Sequence, residues 1–112
     1  MPNSDIRLPI NVIFTYQFDN ITPQLEIDLE RMAKEHLLKY SNSYLKPFLV
    51  KLDAEILVNM RMSKNKQEKY EGKFQFILDG ETFYRDNDVP FKEPFDVVNH
   101  AFKHLKEYLA NK

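Results

Sequence analysis

At 112 residues with 43% hydrophobic side chains, the chain is sized for one domain with its own core, supplied by nine Phe and six Tyr without Trp. Sixteen Lys and Arg against seventeen Asp and Glu give a net charge of -1, which excludes a generic polycation but leaves room for a local basic patch. Without Cys there are no disulfides, thiolate metal sites or cysteine nucleophiles, and no apolar run approaches the ~18 residues of a membrane span.

The opening Met-Pro-Asn-Ser-Asp-Ile-Arg has no basic region followed by a long apolar run, so no signal peptide is read and a cytoplasmic location is expected. Ile10, Val12, Phe14, Tyr16 and Phe18 alternate with Asn11, Ile13, Thr15 and Gln17, the period of a strand with one covered face. Asp19-Asn20 breaks it. Thr22-Pro23 then predicts an N-cap followed by a first-turn proline, because the hydroxyl accepts an orphan N–H and proline has none to leave unpaired. Leu25, Leu29, Met32, Ala33, His36, Leu37 and Tyr40 form the apolar stripe of a first helix. Ser41-Asn42-Ser43, with Pro47 soon after, ends it.

A second strand places Leu52, Ala54, Ile56, Val58, Met60 and Met62 on one face, and a third places Tyr70, Gly72, Phe74, Phe76 and Leu78. Between them runs the polar, basic loop Ser63–Lys69. Asp79-Gly80 is a strong hairpin signal, since a type I′ turn needs positive φ twice. A short fourth strand follows from Glu81 to about Arg85, its facing ambiguous. Glu93 and Pro94 open a closing helix whose apolar stripe is Phe95, Val98, Ala101, Phe102, Leu105 and Leu109. The order β-α-β-β-β-α predicts an α+β domain over residues 1–112, with two helices packed on one face of a four-stranded sheet.

Charge is segregated along the chain. Residues 61–73 carry five cations against two carboxylates, whereas residues 79–96 carry six carboxylates against two cations. On the outward sheet face Ile13, Leu57 and Ile77 are candidates for an apolar cluster, and hence for a homodimer surface. Asp96, His100 and His104 recur every four residues, a spacing that can hold a metal, but on a stripe opposite the apolar one and therefore expected to face water. There is no HExxH, Gly-rich phosphate loop or Ser/His/Asp signature, so the reading is non-enzymatic, with no metal and no cofactor. His36, on the inward stripe, is read as a packed, hydrogen-bonded histidine. Tyr16, Tyr70 and Phe74 fit the core better than base stacking.

Several segments carry a family likeness. Glu93-Pro94-Phe95, Val97-Val98-Asn99 and His104-Leu105…Tyr108-Leu109 follow one another without gaps, and Ile21-Thr22-Pro23 opens the first helix. In that pattern and in element order the chain resembles the ribosome hibernation-promoting factors and ribosome-associated inhibitors, the sigma-54 modulation or S30AE family. The resemblance implies a short-form, non-catalytic factor that binds ribosomal RNA of the small ribosomal subunit and suppresses translation. Basic positions of the family near the end of the closing helix fall here on His104 and Glu107. Candidate phosphate contacts are Lys64, Lys66 and Lys69 on the loop, Arg31 and Lys34 on the first helix, and Lys103 and Lys106 on the last. The alternative is a protein-interaction domain of the same fold that has lost the RNA surface.

Overall fold

The fold is described from a computed structural model over residues 6–51, 55–87 and 89–111. Strands β1 (Val12–Asp19), β2 (Ile56–Lys64), β3 (Tyr70–Leu78) and β4 (Glu81–Asp86) form one sheet in the order β1-β2-β3-β4. The helices are α1 (Pro23–Ser41), α2 (Lys46–Lys51) and α3 (Pro94–Ala110). β1 runs parallel to β2, which requires the crossover that α1 supplies, and β2, β3 and β4 form an antiparallel meander.

The period-2 pattern is realised on the inner face. Ile56, Val58, Met60 and Met62 of β2, with Phe74, Phe76 and Leu78 of β3, are buried against Leu29, Ala33, Leu37 and Tyr40 of α1 and Val98, Phe102 and Leu105 of α3. Phe102 is the keystone of this layer. Its ring stacks on His36 at 4.7 Å, meets Phe74 edge-on at 5.0 Å, and its carbonyl accepts the Tyr40 hydroxyl proton at 3.0 Å. Burying one aromatic ring this completely stabilises the fold by several kcal/mol, about 3–5 by the cost of truncating it.

Local chemistry places each helix. Thr22 Oγ1 accepts from Leu25 N at 3.4 Å, and Pro23 occupies the first turn. α3 lies so close to β3 that a Cβ on Gly72 would overlap Val97 Cγ1, so the glycine sets the approach distance. Asn87 splints the route from β4 to α3: its Oδ1 accepts from Gly72 N at 2.7 Å, while its Nδ2 donates to Tyr70 O and Val89 O. Asp79 and Gly80 both have positive φ, 51° and 81°, as the turn requires.

Four expectations change, and one falls partly outside the described residues. Ile10 is 98% exposed and precedes β1 instead of joining its covered face. β2 begins at Ile56, and Leu52 and Ala54 lie outside the described residues. Two helices become three, because Pro47 lies in the first turn of α2, which begins at Lys46, in place of merely following α1; Phe48 N and Leu49 N both donate to Leu45 O, and proline in the first turn leaves no N–H unpaired. Phe95 is 37% exposed, and Val97 takes the inward position over Gly72. His100 and His104 are half-buried where α3 rests near β4, not on a water-facing stripe. β4, whose facing was open, turns Phe83 inward to meet Tyr108 at 4.8 Å.

Candidate nucleic-acid interface

The β2–β3 connection is a built loop. Asn65 Oδ1 accepts from Gln67 N at 2.9 Å and Lys69 N at 3.0 Å, its Nδ2 donates to Glu71 Oε2, and its own N–H donates to Lys69 O. Glu68 completes the reversal with φ 59°. One asparagine side chain thus does the work of a backbone turn. It leaves Lys66 and Lys69 exposed on the loop. Lys64 is half-buried, with Nζ 5.9 Å from the Tyr70 ring centroid and 3.7 Å from Glu68 Oε1. Two lysines therefore face solvent on a fixed frame, and the third has local partners.

The other candidate cations stand elsewhere. Arg31 is exposed on α1. Lys34 lies 2.7 Å from Glu30 Oε2, whose other oxygen accepts the Tyr16 hydroxyl proton at 2.8 Å. Glu30 is 3% exposed, so its charge is buried and Lys34 is held to balance it. Lys103 and Lys106 are exposed on the second half of α3. Phe91 pairs with Tyr70 at the hairpin end, whereas Tyr108 donates to Glu81 Oε1 beside the opposite turn. Helical rise then puts Lys103 and Lys106 some 13–18 Å along the axis from the start of α3. The structure brings together the loop lysines; it does not unite them with the helix cations.

Two cations outside the candidate set stand directly opposite each other. Arg61 and Lys73 are register partners on the outer face, both exposed. The alternation that puts Met60, Met62, Gly72 and Phe74 inward necessarily turns these two outward, and the pairing of Lys64 with Tyr70 fixes their juxtaposition. That outer face is graded in rows. Ile13, Leu57 and Ile77 are consecutive partners at one end, Thr15, Asn59, Gln75 and Tyr84 follow, and then Gln17, Arg61, Lys73 and Asp86. A shallow concavity of about 250 Å³ is lined by Asn59, Arg61, Lys73, Gln75 and Tyr84.

The histidines serve packing. His36 Nε2 lies 3.3 Å from Asn99 Oδ1, an acceptor, so this nitrogen carries the proton. Burial is the main influence holding the His36 pKa below its ordinary 6.5. Arg85 Nε donates to His100 Nε2 at 3.4 Å, and His100 lies against Phe91 and His104. Among the described residues no three His, Asp or Glu side chains gather as a metal-holding group. The enclosed space between β3, β4 and α3 holds only about 10 Å³, too little for an organic ligand.

No helix among the described residues is long and apolar enough to cross a membrane. No protein-family model matches the chain, and no curated protein matches it. Solved structures do. The N-terminal domain of Protein Y from Thermus thermophilus superposes with a TM-score of 0.54 at 14% identity, covering 87% of this chain and 93% of that one. A ribosomal subunit interface protein from Coxiella burnetii gives 0.52 at 16% identity, covering 88% and 96%. The chain has the fold of these two proteins over nearly the whole of their length.

Proposed function

We propose that this chain is a non-catalytic, ribosome-associated factor of the cytoplasm that binds ribosomal RNA of the small subunit and thereby suppresses translation. The observation that carries the reading is the shared fold with a ribosomal subunit interface protein, joined to a lysine-bearing hairpin held in one shape by Asn65. Cations on a rigid frame meet phosphates without first losing loop entropy, and such contacts position a protein more than they read sequence. Lys66 and Lys69 are the leading contacts and Lys64 supports them; Arg31, Lys103 and Lys106 are secondary, and Lys34 is partly committed to Glu30. Sucrose-gradient sedimentation of lysate tests this. The chain is expected to comigrate with small subunits at low salt, to leave them at high salt, and to leave them at all salts once Lys66 and Lys69 are both changed to Glu. Absence from the small-subunit fractions at low salt overturns the reading.

One observation favours a second reading. Ile13, Leu57 and Ile77 form an unbroken apolar row across three strands, as a homodimer surface of a protein-interaction domain would require. In that case light scattering gives a dimer mass that Leu57→Glu reduces to monomer and that charge reversal at Lys66 and Lys69 leaves unchanged.

A further inference from the structure

The middle of the outer sheet face presents a combination of groups that the core, the helices and the loop lysines do not use. Tyr84 is 70% exposed, while its neighbour Phe83 is turned inward. Beside it across the sheet lie Gln75 and then Asn59. Among the described residues neither carboxamide hydrogen-bonds within the chain, so both retain donors and acceptors for another molecule. One row on, Arg61 and Lys73 stand directly opposite each other, an arrangement of like charges that costs stability unless an anion lies between them. Asp86 is the other register partner of Lys73, and Asp19 borders the same patch. Among the described residues no carboxylate comes within 4.0 Å of either cation.

We propose that this face is a platform for single-stranded nucleic acid, with Tyr84 stacking one base, Gln75 and Asn59 bonding to its edge, and Arg61 and Lys73 receiving the adjoining phosphate. Sheet geometry sets the scale. One strand spacing across and two residues along put Tyr84 about 8 Å from Lys73, close to the separation of one base from a neighbouring phosphate. The concavity of about 250 Å³ between them is open and shallow, suited to a base lying out of a helix. A duplex keeps its base faces stacked and its pairing edges engaged, so it offers Tyr84 no base to stack on. The site is separate from the proposed loop contacts and does not depend on the ribosome reading.

Fluorescence anisotropy with a labelled ten-nucleotide single-stranded RNA, and with the same sequence as a duplex, tests the proposal. The single strand is expected to bind the more tightly. Tyr84→Ala should weaken it roughly tenfold, in line with the loss of one stacked base. Arg61→Ser with Lys73→Ser should lower the salt dependence of log Kd by about 0.7, the loss of one neutralised phosphate on a single strand. Thermal melting of each variant checks that folding is intact. No single-strand binding at 50 mM salt overturns the proposal. So does binding that ignores both variants but is lost on changing Lys66 and Lys69 to Glu, which would assign the contact to the loop. Self-association abolished by Leu57→Glu, without oligonucleotide binding, would give the face to a second copy and overturn it as well. Small-subunit comigration of the Tyr84→Ala chain is read in parallel, so that failure of this site and failure of ribosome association are told apart.

Discussion

The two faces of the one sheet answer to different rules. Inside, the four-stranded sheet presents Met60 and Met62 of β2 and Phe74 and Phe76 of β3 to two helices, and each side chain is fixed by several neighbours. Outside, the alternate residues of the strands form rows running from aliphatic through carboxamide to cationic, and among the described residues no helix packs over them. The inner face is constrained by packing density, where a missing methylene is felt. The outer face is free of that constraint, so its composition reflects solubility and partners. The contrast separates residues whose loss unfolds the protein from residues whose loss leaves it folded and changes what it binds.

Substitutions can sharpen or break that contrast. The largest effect is expected at Phe102, where Phe102→Ala removes the ring shared by His36 and Phe74 and should cost about 3–5 kcal/mol in chemical denaturation. Gly72→Ala forces α3 away from β3 at Val97, and a loss of about 1–3 kcal/mol by the same measurement is expected. A pH effect comes next. The folded pKa of His36 lies below its unfolded value, so the unfolded chain binds the extra proton and stability rises with pH across the interval between them. The contribution is complete above about 6.5 and is lost as pH falls toward the lower folded value. Denaturation midpoints of His36→Gln should vary less with pH below 6.5 than those of the parent chain. The smallest effect is expected outside: Leu57→Thr should change stability by no more than about 0.5 kcal/mol. A loss as large as that of Gly72→Ala would mean that the outer face is covered by a partner in solution.

Much of the inner face was legible in the sequence because strand alternation and helical spacing are one-dimensional signals. Met60, Met62, Phe74 and Phe76 turn inward as their parity requires, and the stripe from Val98 to Leu109 lands on the sheet. The misses occur where geometry from another element decides. Phe95 matches the helical period, but the close approach over Gly72 rotates Val97 into the contact. α2 was hidden because a proline soon after a helix reads as punctuation, and only the Leu45 carbonyl reveals a new first turn. His100 sits on the polar stripe of α3, yet Arg85 and Phe91 arrive from β4 and the segment after it to enclose it. For the candidate interface, the exposed loop lysines could be named from charge alone. The burial of Glu30 that holds Lys34 could not, since it needs Tyr16 of β1 to fold back against α1. The Arg61–Lys73 pair was latent in the hairpin register, and it emerges only when charge is counted across strands instead of along the chain.

The parallel pairing of β1 with β2 has a kinetic consequence. Partners such as Val12 and Ile56 are 44 positions apart, whereas those joining β2 to β3 span from 6 positions, at Lys64 and Tyr70, to 22, at Ile56 and Leu78. Closing the longer loop costs more chain entropy before any contact repays it, so the meander has a head start and the first strand docks last. The same order runs backwards in native fluctuations. Strand β1, at the sheet edge and anchored to α1 through Tyr16 and Glu30, is the segment expected to detach first. Its amide protons should exchange with solvent ahead of those of β2 and β3, and its detachment would bare the β2 edge as a template for a foreign strand.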